Sequence, residues 1–402
     1  MLIPRLALRS LRSRLLTTSL TVASIALSVT LLVGIEHVRA GVRESFAGTI
    51  RGVDLIVGAR GGTLQVLLSA VFGIGSPAGS VTVATFERWQ RHPAVKWAAP
   101  YTLGDSHRGF RVVGTTEEFF RRYRFRNDGR IQFAQGRAAT SHSDVVVGSE
   151  VAERLKYTIG SPIVVVHGLV DIGTSSHEAH PFQVVGILGR TFTPIDRSVY
   201  VTLDGIEAIH GTAVAVPQPQ LLTAFFIGTK NRFEALMLQR EMNTDLTEPL
   251  TAVIPGVALG ELWKNIGSAE VGLQVVAIFA VAIGLMGMLV ALYSSLEARR
   301  REMAIFRAIG AGPRTIVTLL VLESAMLSLV GCAIGVAIVY AGLVLGQQPI
   351  EQRFGLHLAI RPLGSTEWKY LAVVLVSGVI IGFVPAIKAY RTSLVDGLSP
   401  RA

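Results

Sequence analysis

Three imidazoles and two carboxylates crowd one short stretch: His167, Asp171, His177, Glu178 and His180. Nitrogen and oxygen donors of this kind suit zinc or another borderline divalent metal. The stretch lies between β-branched runs that end at Val166 and resume at Phe182, so it reads as a hairpin connection, and Gly173, Thr174 and Ser175 mark its tip as flexible. It holds no cysteine and no H-x-E-x-x-H spacing. Three readings therefore stand together: a metal site on His167, His177 and His180, a solvated hairpin tip that carries imidazoles, or a contact with a partner. Asp105 with His107, and His142 with Asp144, are isolated pairs with less to offer. No nucleophile is matched with a base, and the phosphate-binding pattern G-x-x-x-x-G-K-[ST] is absent, the nearest fragment being Gly228-Thr229-Lys230. Catalysis by these 402 residues is not expected.

A second stretch suits docking rather than catalysis. Glu297 to Arg314 is densely charged, contains five arginines and lies between two long apolar runs. At about 100° per residue a helix places Met303, Ile305, Phe306 and Ile309 on one arc, with Arg300 and Arg307 on another. Gly310, Gly312 and Pro313 stop it, which leaves a short amphipathic helix of roughly three turns. Its apolar face has no membrane to enter and needs a partner.

Half of the residues are hydrophobic, 16% are charged and the mean hydropathy is +0.49. That is the balance of a membrane protein. The net charge of +10 gathers at Arg5 to Arg14, at Arg299 to Arg314 and around Lys388 and Arg391. Each cluster flanks an apolar run, so anionic lipid and the positive-inside rule account for it and nucleic acid is not expected. The single cysteine, Cys332, sits inside an apolar run and cannot form an intrachain disulfide.

In chain order, residues 1–14 form a basic amphipathic segment and 15–37 the first span, too long for a signal-peptide core. Residues 38–269 lack any spanning run and mix strand-like segments (Val53 to Val57, Phe110 to Val113, Asp144 to Val147, Pro162 to Val166, Pro181 to Leu188, Ser198 to Leu203, Ala224 to Thr229) with helical ones (Glu150 to Leu155, Arg232 to Glu241). This predicts a two-lobed α+β domain outside the cytoplasm. Thr63 to Ile74 is apolar but too short to span, which leaves a buried or an interfacial helix. Further spans follow at 270–294, 315–345 and 369–389, separated by the basic loop 295–314 and an outer loop 346–368, with the tail 390–402 inside. The fold class is thus α-helical membrane protein with four transmembrane helices and an α+β insertion between the first two. Glu323 falls within the third span, about 12 Å along it. A carboxylate there is either a functional group or sits at headgroup depth because the run exceeds the membrane. Gly331 and Gly335 have the G-x-x-x-G spacing of close helix approach, and with Gly272, Gly284 and Gly287 they offer small-residue surfaces for a second copy.

The residues resemble the FtsX and MacB type of ABC-transporter permease. Arg300-Arg301-Glu302-Met303-Ala304-Ile305-Phe306-Arg307-Ala308-Ile309-Gly310-Ala311 is similar to that family's cytoplasmic signature, and Pro385-Ala386-Ile387-Lys388-Ala389-Tyr390-Arg391 to its closing motif. Val146 to Ala152, Gly160 to Ile163, Phe182 to Leu188 and Ser198 to Val201 resemble the MacB-like periplasmic domain in order and spacing. The resemblance implies that Arg300, Arg301, Glu302, Ile305, Phe306 and Arg307 form a coupling helix for an ABC ATPase subunit, which carries the ATP and magnesium, and that no cofactor belongs to this chain unless zinc joins the histidine loop. It further implies a bacterial inner-membrane location with both termini cytoplasmic, a second permease chain (identical or not), and a periplasmic adaptor or substrate-binding partner. The implied role is mechanotransmission for export or extraction of a lipid, lipoprotein, peptide or amphipathic compound; the alternative is an FtsX-like transmitter that regulates a periplasmic partner without transport.

Overall fold

The computed structural model describes residues 15–126, 128–167, 181–210, 220–298, 312–354 and 360–391. Among the described residues four helices are long and apolar enough to cross a membrane: Leu15–Thr49, Pro255–Ser294, Arg314–Ile350 and Ser365–Lys388. The α-helices that contain them run Leu15–Thr49, Pro255–Ala298, Pro313–Phe354 and Ser365–Arg391. Two compact units emerge. One comprises residues 1–41, 267–348 and 358–402, the other 42–266 and 349–357.

The second unit is built on one sheet of eleven strands. Along it lie, side by side, Leu250–Val253, Leu55–Ala59, Ala224–Thr229, Val95–His107, Phe110–Thr115, Ser198–Val201, Asp144–Val147, Phe182–Leu188 and Phe133–Gly136. Pairing is mixed: Ser198–Val201 runs parallel to Phe110–Thr115 and antiparallel to Asp144–Val147. Alternate residues of each strand face opposite sides, and the two sides differ. On one, Ile56, Ala99, Tyr101, Val113, Val146, Tyr200 and Phe226 share a continuous core with the helices Thr63–Leu67 and Glu117–Arg122. On the other, Leu55, Val57, Phe225 and Ile227 pack with Phe86, Leu238 and Met242, whereas Val112, Val145, Val147, Val184 and Val199 pack with Val151 and Ile163 as a separate cluster. The α+β character matches the sequence reading, and the division into two lobes is carried by one face of a shared sheet.

Local chemistry explains the boundaries. Asn231 caps the helix Arg232–Asn243 by accepting from the Glu234 amide at 2.9 Å. That helix in turn seals the neighbouring strand: Gln239 Nε2 donates to the Ala252 carbonyl, and the Ala252 amide donates to Asn243 Oδ1 at 2.7 Å. Unpaired backbone at a sheet edge is thereby satisfied. Val95–His107 crosses the middle of the sheet although Pro100 and Gly104 interrupt its strand pattern. Opposite it, a side chain at Gly228 would collide with the Trp97 indole, so only glycine fits there. Thr63 to Phe72 is buried helix, with a π-helical turn at Leu68–Phe72 closed by left-handed Gly73. This favours the buried over the interfacial reading of that segment.

Candidate functional site

Helices in lipid gain little from burying apolar surface against one another, so close packing and interhelical hydrogen bonds decide how they associate. The first long helix meets the second where Ser28 Oγ donates to the Ala280 carbonyl at 2.8 Å. A Cβ added at Gly284 would stand 2.7 Å from that same hydroxyl oxygen. Thr30 Oγ1 donates to the Gly335 carbonyl at 3.1 Å, and a Cβ at Gly331 or Gly335 would stand 2.6 Å from Ile25 Cγ2 or 2.7 Å from the Ala26 carbonyl oxygen. The third helix meets the fourth through Ser324 and Ser328, whose hydroxyls occupy the space that side chains at Gly382 and Gly378 would need. Gly331 and Gly335 therefore pack against the chain's own first helix, whereas a Cβ at Gly272 would meet nothing within 4 Å. Glu323 is buried at 5% exposure, next to fully buried Ser324. It belongs to the bundle's packed side rather than to the lipid side.

At one end of the bundle the structure gathers charges that are far apart in sequence. Glu367 is 1% exposed and accepts from the Arg361 guanidinium at 2.5 Å. His37, equally buried, has Nδ1 at 3.8 Å from the same Glu367 oxygen. The Tyr340 ring lies edge-on to the imidazole with centroids 5.7 Å apart, and its hydroxyl donates to the Arg361 carbonyl at 2.8 Å. On the same helix, Arg39 bridges Glu36 at 2.8 Å and Glu270 at 3.3 Å. Residues of all four long helices and of the segment before the fourth thus meet in one polar cluster. Buried charge is costly unless paired in this way. This cluster is not legible in the sequence, since Glu36-His37 closes one apolar run and Arg361 and Glu367 precede another; charge at the ends of apolar runs is its one signal.

Of the coupling residues, Arg300, Arg301, Glu302, Ile305, Phe306 and Arg307 all lie outside the described residues, as do the basic segment 1–14 and the tail 392–402. His177 and His180 also lie outside them. The His167 backbone closes a short antiparallel pairing opposite Asp105. Among the described residues no group of three His, Cys, Asp or Glu is placed to hold a metal.

One member of each isolated pair, His107 and Asp144, has structural employment. His107 is buried, with Nδ1 2.6 Å from the Val164 carbonyl oxygen and Nε2 2.7 Å from the Tyr157 hydroxyl. A proton on Nδ1 and a lone pair on Nε2 satisfy both contacts with a neutral ring, and burial lowers the pKa of this imidazole, only partly opposed by the Val164 bond. Burial works against ionisation of Asp144, but the amides of Thr140 and Ser141 and the Arg137 guanidinium outweigh it and hold the carboxyl below its ordinary range. Asp196 clamps a turn by accepting from Thr191 N, Thr191 Oγ1 and Phe192 N; burial nevertheless raises its pKa.

Two family models match the chain. The MacB-like periplasmic core domain matches residues 18–226 and the FtsX-like permease C-terminal region matches 274–394. The macrolide export ATP-binding/permease protein MacB of Nitrosomonas europaea is 24% identical over 95% of this chain and 56% of its own length. The pyoverdine export ATP-binding/permease protein PvdT of Pseudomonas fluorescens is 26% identical over 66% of this chain and 39% of its own length. The chain thus spans about half the length of the curated relatives it matches. The solved periplasmic region of MacB from Actinobacillus actinomycetemcomitans aligns with a TM-score of 0.36 at 12% identity, covering 53% of this chain and 94% of that one.

Proposed function

The chain belongs to the MacB/FtsX-type permeases of ABC transporters, and from that membership we propose that it is the transmembrane subunit of a mechanotransmitting exporter. In this reading a separate ATPase subunit docks on the segment Glu297 to Arg314. Its ATP-driven closure moves the α+β domain, which lies outside the cytoplasm, and so expels or extracts a lipid, lipoprotein, peptide or amphipathic compound. The permease works as a pair of chains in the bacterial inner membrane, both termini lie in the cytoplasm, and a periplasmic adaptor completes the path. The printed names of the relatives, export ATP-binding/permease proteins, support the export class.

One observation carries the reading: a sheet-containing domain is inserted between the first and second of four long apolar helices, in the same order as the two matching family regions. The first two of those helices supply residues to both compact units, which gives force a route along continuous backbone. The 402 residues contain no phosphate-binding loop, so in this reading nucleotide binds outside them.

The test is affinity purification of the tagged chain from native membranes, with mass spectrometry of what accompanies it. An ABC ATPase is expected with wild type. Phe306→Asp sets an unpaired charge in the proposed contact, at a cost of several kcal/mol, and should lose that ATPase while the permease still accumulates in the membrane. Retention of the ATPase at wild-type yield and turnover defeats the docking assignment. Recovery of a cell-wall hydrolase in place of an adaptor would favour the regulatory alternative.

A further inference from the structure

The α+β unit contains a cavity of about 400 Å³ that the permease reading does not use. Its floor is the sheet face carrying Tyr101, Tyr200 and Phe226, and its far wall is the π-helical turn that ends at Gly73. Phe46 and Phe72 stack over it with centroids 4.5 Å apart. Such a volume falls within the range of small-molecule sites, about 300–1,000 Å³. Filled with water it would hold on the order of a dozen molecules, each needing two to four polar partners, and walls of aromatic and aliphatic side chains supply few of them. The cavity suits hydrocarbon.

The charged groups on its lining are all of one sign. Arg111 and Arg197 contribute to it, and no carboxylate does. The two arginines come from neighbouring positions, because Arg111 pairs in register with Ser198, the residue after Arg197. Arg197 is already drawn towards Glu150 at 3.5 Å. Arg111 has only a long contact from its guanidinium to the Gly75 carbonyl at 3.5 Å, and no carboxylate lies within ion-pair distance of it among the described residues. Gly73 helps here: a Cβ on it would come within 3.1 Å of Arg111 Nε, so the absence of a side chain leaves the guanidinium room. Of the three buried tyrosines that line the cavity, Tyr123 donates to the Thr49 carbonyl and Tyr200 to the Ile195 carbonyl, whereas the Tyr101 hydroxyl has no acceptor among the described residues. π-helical turns of this type occur often at functional sites.

We propose that this cavity binds a single-chain amphipathic anion, its hydrocarbon tail against Phe46, Phe72, Tyr101 and Phe226 and its carboxylate or phosphate on Arg111 and Arg197. The site is independent of the docking segment and of ATP turnover, so it stands or falls separately from the permease reading. A planar guanidinium matches either oxyanion by paired hydrogen bonds, and the two sources, a free fatty acid or a monoacyl phospholipid, share that chemistry.

Photolabelling tests it on the full chain in lipid nanodiscs. The probe is a fourteen-carbon fatty acid bearing a diazirine, with mapping of the labelled peptides. Label should concentrate on Leu68 to Ile74 and Phe119 to Tyr123. Myristate and lysophosphatidate are the competing anions, and the stronger of the two identifies the source; the neutral alcohol 1-tetradecanol should compete poorly. Arg111→Gln removes the charge-assisted contact and should lower labelling by about tenfold. Leu103→Trp fills the cavity and should abolish it. Should Leu103→Trp fail to fold, the partly exposed Arg111 still decides the matter. Label spread along the four long helices without enrichment at the two peptides, equal labelling of Arg111→Gln, or equal competition by the alcohol overturns the proposal.

Discussion

Glu367→Ala is the perturbation that probes the bundle's charge cluster most sharply. The carboxylate is 1% exposed, accepts from Arg361 at 2.5 Å and faces His37 at 3.8 Å. Removing it strands a guanidinium whose side chain is 27% exposed. Breaking a buried pair from one side costs about 3–5 kcal/mol, and partial access of Arg361 to water points to the lower figure, about 3 kcal/mol. For a body of roughly 150–250 residues each kcal/mol moves the melting point by about 2–4 °C, so a loss of about 6–12 °C is expected. The assay is intrinsic-fluorescence melting in nanodiscs at a fixed scan rate, with Trp368 beside the site as reporter. Replacing both partners, Arg361→Leu with Glu367→Leu, removes the stranded charge and should recover at least half of the loss, a coupling that a double-mutant cycle measures. A single variant that melts within about 1 °C of wild type, or a double variant that loses the sum of the two singles, would refute the argument.

Three further outcomes follow from the same geometry. Gly335→Leu drives a side chain into Ala26 and Val29, an overpacking worth about 1–3 kcal/mol, so it should lower the melting point of the chain itself; a lowered dimer fraction at unchanged melting point would instead place Gly335 between chains. His107, whose pKa burial lowers below the ordinary value near 6.5, binds a proton more readily in the unfolded chain. Its contribution to stability is complete above pH of about 6.5 and declines as pH falls from there towards the lowered native value, by at most ~1.4 kcal/mol per pH unit; His107→Gln should flatten that slope in unfolding measured between about pH 5 and 7. Impermeant thiol labelling on intact spheroplasts, in a Cys332→Ser background, should modify Ser176→Cys and spare Ser399→Cys, and the reverse pattern would invert the topology.

What the sequence conveys follows from how local each signal is. The four long helices are legible because about 20 uncharged apolar residues admit little else. The strands at Asp144–Val147, Phe182–Leu188 and Ala224–Thr229 declare themselves through β-branched and aromatic runs. Val95–His107 does not, because Pro100 and Gly104 break the pattern and partners on both sides override it. The cluster joining His37 to Glu367 is invisible for a related reason: its members are ordinary flanking charges until the helices assemble. Gly331 and Gly335 announce close helix contact correctly, but spacing cannot say which helix arrives, and it is the first helix of the same chain.

In the proposed function, ATP turnover on the cytoplasmic side moves the α+β domain. The direct measurement is the distance between spin labels on the two permease chains of the assembled complex, one label per chain at Leu246→Cys, a fully exposed site, with buried Cys332 replaced by serine. The distance distribution should shift between the nucleotide-free and ATP-bound states, and the shift should disappear in Phe306→Asp; a distribution that stays the same while the complex hydrolyses ATP would refute mechanotransmission.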